Sequence, residues 1–231
     1  MPTRKLVLAT GVLLGALATG RAATTIDPAH SVAYGGNLGW TDWRGDTTNG
    51  AVIGDYVCSG YLYAANAGWI SLGNGSPTNG IRYQNLATND FGVNHDGLGR
   101  LRGYAYAANL GWISFEDTGA PDVDLRTGNL SGSVYSANAG WISLSNSVAF
   151  VRTQSISPGT LDTNGLPVAW ELTCFGTTGV NPDADPDGDG MSNLQEYLAG
   201  TDPNDPNDRL QVTAATFGPG GTSGFVSSVR A

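Results

Sequence analysis

YAANAGWISL, at residues 63–72, is the stretch on which the fold turns. It returns as YAANLGWISF at 106–115, as YSANAGWISL at 135–144, and in a worn form as YGGNLGWTDW at 34–43. In every copy a Tyr precedes a Trp by six residues, with Asn-x-Gly between them. The four indoles, Trp40, Trp69, Trp112 and Trp141, are spaced by 29, 43 and 29 residues. Self-similarity on this scale marks a supersecondary unit written several times. The unit reads as a β-hairpin. Asn-Ala-Gly is a short loop whose Gly enters the left-handed region with no Cβ to clash. With Asn66, Ala67 and Gly68 as the loop, Ala65 faces Trp69 across the ladder and leaves room for the indole. Tyr63 then faces Ser71, while Ile70 and Leu72 point to the other side. Both faces are partly apolar, which predicts strands buried between layers. The expected fold class is mainly β, with repeated β-hairpins forming a sandwich or propeller-like domain over 23–152, plus a small α module.

Composition narrows the setting. Residues 1–22 hold Arg4 and Lys5, an apolar run over 6–18, and small residues at Gly20 and Ala22. This is the layout of a secretory signal peptide cleaved after Ala22, so the expected location is secreted or at the cell surface. No later apolar run of about 20 residues offers a membrane span. Beyond residue 22 there are 20 acids, eight Arg and no Lys, a net charge of −12. Such a chain does not hold nucleic acid through its phosphates. It attracts cations instead. The 34 glycines agree with many tight turns. An oxidising compartment permits a disulfide between Cys58 and Cys174, and the spacing does not decide it.

The composition shifts after the connection at 153–159. Between Thr153 and Asp208 there are ten acids and no basic residue. Residues 185–196 read DPDGDGMSNLQE, which meets the EF-hand loop pattern D-x-[DN]-x-[DN]-G-x5-E at every specified position. Asp185, Asp187 and Asp189 take positions 1, 3 and 5, and Gly190 makes the sharp turn at 6. Met191 offers its backbone carbonyl at 7, Asn193 stands at 9, and Glu196 closes the shell at 12. Calcium is a hard cation that takes six to eight oxygens, and four crowded carboxylates need one. Leu194, Tyr197 and Leu198 recur at helical spacing, with Gly200 and Pro203 ending the run. A worn copy lies at 160–171, TLDTNGLPVAWE, with Asp162, Asn164, Gly165 and Glu171 at positions 3, 5, 6 and 12. Thr160 and Val168 replace oxygens there, so this loop is expected to be structural, with weak or no metal. Its helix should run roughly over LPVAWELTCF, 166–175, with Pro167 near the first turn and Gly176 after the last, and with Trp170 packing on the Leu194–Leu198 side. Asp202, Asp205 and Asp208 read as solvated acids, with a second ion site as the alternative. The tail, 209–231, begins like a strand and dissolves into Gly and Ser.

DTNGLPVAWELTCFG followed by DADPDGDGMSNLQEYLAGTDPNDP resembles the bacterial thrombospondin type 3 repeat modules of secreted and surface proteins. Its loop-helix units are also similar to dockerins. The likeness covers residues 160–208 and implies a calcium-stabilised extracellular connector. The GWIS hairpins resemble a repeat of exported bacterial proteins, which implies a location and no activity.

Catalytic signals are sparse. The sequence lacks a nucleophile elbow, a zinc-protease helix and a phosphate loop. His95, with Asp90, Asn94 and Asp96, reads as a polar turn rather than a metal site. Two expectations follow. The first is a non-catalytic, calcium-binding structural or connector protein. The second is an extracellular glycan-binding module with a polysaccharide partner, in which exposed Trp and Tyr of the repeats stack on sugars. The exposure of the four indoles separates them.

Overall fold

The computed structural model of the chain describes residues 24–45, 48–217 and 223–228. The expected export segment, 1–22, lies outside the described residues. The strands are β1 Ile26–Gly35, β2 Gly39–Asp42, β3 Ser59–Ala64, β4 Gly68–Asn74, β5 Val93–His95, β6 Leu101–Ala107, β7 Gly111–Ser114, β8 Asp122–Val123, β9 Leu130–Ser131, β10 Ser133–Ser136, β11 Gly140–Ser143 and β12 Val151–Thr153. Two helices follow, α1 Val168–Phe175 and α2 Asn193–Ala199. The tail carries one antiparallel pair, β13 Gln211–Phe217 with β14 Ser223–Ser228. Mainly β is therefore right, but the domain is neither a sandwich nor a propeller. Eight antiparallel strands run β1-β2-β3-β4-β6-β7-β10-β11, and β11 pairs back onto β1 to close a barrel. Closure leaves this ring with no free edge, which four similar hairpins side by side achieve without a second sheet.

All four Asn-x-Gly turns lie at one mouth of the barrel, and the long connections lie at the other. The register differs from the sequence expectation. Tyr63 pairs directly with Trp69, and Ala64 with Gly68. The Ala67 N–H donates to the Ala64 carbonyl at 3.1 Å, so the turn begins one residue earlier than expected. Gly68, at φ 79°, belongs to the ladder as the left-handed residue that follows the turn. Ala65 is thus an exposed loop residue, not the neighbour of the indole. Tyr34–Trp40, Tyr106–Trp112 and Tyr135–Trp141 repeat the same pairing.

The invariant Asn has a role that the sequence did not reveal. The Asn66 side-chain amide donates to the Leu38 carbonyl of the preceding hairpin at 3.1 Å. Asn109 donates to Ala67 at 3.3 Å, Asn138 to Leu110 at 2.9 Å, and Asn37 to Ala139 at 3.3 Å. The four bonds form a closed ring that ties each tip to the one before it. The x of Asn-x-Gly points inward. Leu38, Ala67, Leu110 and Ala139 are all buried in the core, alternating large and small around the mouth.

Strand alternation does the rest. Ala33, Leu62, Ala105 and Val134 pair with Thr41, Ile70, Ile113 and Ile142, and all eight are buried. Below them Trp43, Leu72, Phe115 and Leu144 fill the next level. The void among these side chains is about 10 Å³, room for about one water, so the barrel is a packed core and not a channel. Only the inner face is apolar and sealed. The aromatic face looks out, contrary to the expected burial between layers.

The β1 and β12 strands are tied by Asp27 and Arg152, whose Nε donates to Asp27 Oδ2 at 3.0 Å. The Arg152 guanidinium, helped by the Ala29 N–H, holds the Asp27 carboxyl down at about 2. An unfolded Asp titrates near about 3.9. The tie is therefore complete above that value and is lost as pH falls toward 2. Asp27→Asn is expected to flatten the acid side of the stability profile between these limits. Urea midpoints measured down that pH range test it, and an unchanged slope overturns it.

The connection at 153–159 is bonded to the barrel. The Ser157 N–H donates to Ile53 O, and Asp55 N–H donates to Ser157 O. The thiols of Cys58 and Cys174 are free; burial pushes Cys58 up to about 12 and Cys174 to about 11.

Candidate metal centre

The loop at 185–196 is built by its own Asp residues. Asp185 accepts the N–H groups of Gly188 at 2.8 Å and Gly190 at 2.9 Å, one on each oxygen. Gly190 holds φ 97°, a conformation that a side chain resists. Asp187 accepts from Asp189 N–H at 3.1 Å, and Asp189 from Met191 N–H at 2.7 Å. These bonds fold the three carboxylates inward, where an oxygen from each lies within 4.8 Å of the others.

Helix α2 closes the loop. Ser192 caps it in a reciprocal capping box with Gln195, and Gly200 ends it at φ 74°. Backbone N–H groups at its start are taken by Ala184 O and Pro182 O, which fixes the helix against the loop. The face it buries is polar. Asn193 and Glu196, three residues apart, are 2% and 0% exposed. Leu194 and Leu198, expected to form the packing stripe, are exposed. The helix has two turns, and the loop claims the side that a longer helix would give to a core. Trp170 packs instead on Tyr197, with ring centroids 5.7 Å apart. The Tyr197 hydroxyl donates to Asp55 Oδ2 of the barrel at 3.3 Å.

The electrostatics are those of an anionic hole. Asp187 Oδ2, Asp189 Oδ2, Asn193 Oδ1 and Glu196 Oε2 are sealed from solvent with no hydrogen-bond partner. The amide of Asn193 is oriented by donation to Asn181 O at 2.8 Å, which leaves its oxygen free. Thr201 donates to the other Glu196 oxygen at 3.3 Å. Burial first, then the charges of Asp187 and Asp189, push the Glu196 carboxyl up to about 7. Asp187 is raised by burial and by Asp189 and Asp185. Buried oxygens with no donor are costly, and several facing one another fit a hard cation. Five of the six residues in the expected ligand set contribute side chains around this loop, and Met191 contributes backbone at the turn into α2. The sequence reading missed Asn181 and Thr201, which orient the candidate ligands Asn193 and Glu196. The Gly-Thr-Asp-Pro run after α2 was a usable signal for the second.

The worn loop is satisfied only in part. Glu171 is also 0% exposed, but its Oε1 accepts from Asn164 Nδ2 at 2.7 Å and from the N–H groups of Gly179 and Val180 at 3.1 and 3.0 Å. Val168 N–H donates to Thr160 O at 3.0 Å, so a backbone bond joins positions 1 and 9. Amide donors serve that one oxygen of Glu171. Its Oε2, like Glu196 Oε2, is buried without a partner, and the worn loop differs in lacking the three clustered Asp carboxylates of the second.

The acids and imidazole around residue 95 do not form a site. His95 is buried, and its Nε2 accepts from Gly99 N–H at 3.1 Å, so Nδ1 carries the proton and donates to Gly54 O at 2.9 Å. Asp90 accepts from Thr78 and Gln84, and Asp96 accepts from the N–H groups of Leu98 and Arg100. Each acid serves its own turn.

No protein-family model, curated protein or solved structure matches this chain.

Proposed function

We propose that this chain is a secreted or cell-surface calcium-binding structural protein, a closed β-barrel joined to a calcium-braced connector. One observation carries the reading: a fully buried Glu196 whose unpartnered oxygen belongs to the same loop as the unpartnered oxygens of Asp187 and Asp189. Asp185, Asp187, Asp189, Asn193 and Glu196 would hold the ion with side-chain oxygens, and Met191 with its carbonyl. The ion supplies positive charge that offsets the mutual repulsion of four carboxylates. The chain's own residues supply rigidity, through the Asp-to-backbone bonds and the capped helix. No catalytic step belongs to this reading. The resemblance to thrombospondin type 3 modules and the export-like leader support an extracellular setting.

Calorimetric titration of the full chain with calcium tests the proposal. Saturable binding that is lost in Asp187→Ala is expected. Absence of binding heat in the wild type, at several temperatures, overturns it.

A further inference from the structure

The four Tyr–Trp pairs do no sealing of the core, and their exposure needs a reason. Trp40, Trp69, Trp112 and Trp141 are 50%, 48%, 45% and 48% exposed. Each stands against its cross-strand Tyr, with ring centroids 4.9 to 5.1 Å apart. Soluble proteins rarely leave large aromatics out in ordered sets unless something binds them. We propose that this girdle is a multivalent binding surface for a neutral polysaccharide, one sugar-stacking platform per hairpin.

Three features point to that occupant. The first is rigidity. The long connections press on the indoles from the side: the Phe91 ring lies 5.2 Å from Trp112, and a Cβ at Gly119 would lie 3.0 Å from Trp141. At Gly45 the same construction comes within 3.8 Å of Trp69. Platforms held in place before binding lose little entropy on binding. A flat indole fits the C–H face of a pyranose ring, whose hydroxyls stay wet around the rim.

The second feature is the rim. Each Tyr sits opposite a small polar residue of the preceding hairpin: Tyr106 opposite Ser71, Tyr135 opposite Ser114, Tyr34 opposite Ser143, and Tyr63 opposite Asp42. Three of the four are neutral hydroxyls and none is basic. An anionic glycan or an anionic membrane would meet a chain of net charge −9 that lacks a basic residue at these rim positions.

The third feature is placement. The pairs occur once per hairpin around a closed ring. A protein partner or a second copy needs one contiguous patch. Aromatic platforms spread around the ring are individually weak, and a repeating polymer that reaches neighbouring hairpins gains by engaging them together.

The full chain, in calcium-containing buffer, should be tested on insoluble cellulose, xylan and mannan, with dextran sulfate, neutral phosphatidylcholine vesicles and sedimentation of the free protein as the other arms. Retention on at least one neutral polymer is expected, with the polymer shielding indole fluorescence from acrylamide. Trp69→Leu and Trp112→Leu should each weaken retention about tenfold, as for loss of one anchor. Trp40 should matter less, because its ring meets Tyr34, whereas Trp69 is flanked by Tyr61 and Tyr63 and Trp112 by Phe91, Tyr104 and Tyr106. Acrylamide protection is read on the wild type, so a poorly folding variant does not decide the matter. Retention on none of the neutral polymers overturns the proposal. So does binding only to vesicles or dextran sulfate, or self-association that alone protects the indoles.

Discussion

Without calcium, and at a pH above 7, Glu196→Gln should melt at a higher temperature than the wild type; with calcium, it should melt lower. The two signs come from one cause. Burial and the neighbouring Asp187 and Asp189 raise the Glu196 carboxyl from its ordinary value to about 7. A carboxyl raised in the fold disfavours the folded state once it ionises, so the cation-free protein is strained in that range and relaxes as pH falls through it. Gln is nearly isosteric, carries no charge, and offers N–H donors to oxygens that otherwise have none. It therefore relieves the calcium-free state. The same change removes the carboxylate proposed as the ligand at position 12. Wild type at calcium 100 times its dissociation constant gains about 2.7 kcal/mol when only the folded state binds, and the variant gains nearly nothing. Scanning calorimetry with chelator and with calcium reads both signs. A variant that melts below the wild type in chelator would falsify the anionic-hole account of this loop.

The second large effect belongs to the barrel mouth. Leu38 is buried at the third position of its turn, and Leu38→Ala is expected to cost about 2–5 kcal/mol. Asn66→Ala should cost about 1 kcal/mol, because the partly buried Leu38 carbonyl loses its donor. Ala65→Asn should stay within about 0.5 kcal/mol, because Ala65 is an exposed loop residue that faces no indole. Urea midpoints order the three. If Ala65→Asn proved the most damaging, the pairing of Tyr63 with Trp69 would be wrong.

That ordering also measures what the sequence could tell. The repeat, the hairpin and the inward Ile70 and Leu72 were legible, because alternation and a left-handed Gly are local properties. Closure into a barrel was not, since it depends on Tyr34 meeting Ser143 more than 100 residues away. The register slipped because Gly68 can serve as loop or as ladder residue, and only the Ala67 to Ala64 bond decides. The acidic loop and its inward carboxylates were legible, because the residues that fold it lie in twelve consecutive positions. The helix after it was misread for an instructive reason. Leu194 and Leu198 look like a core stripe, yet the chemistry of the loop takes Asn193 and Glu196 inward and leaves the leucines out.

Ring closure has a kinetic consequence. Each barrel hairpin joins strands only a few residues apart, so all four can form early and independently. The β1–β11 seam must wait for every one of them, and the Asn ring stays open until it does. Until that moment two strand edges lie bare. Edges of that kind can pair with the matching edge of another molecule as readily as with their own. Refolding at rising protein concentration should therefore divert material into exchanged dimers, held by the same bonds that seal the monomer.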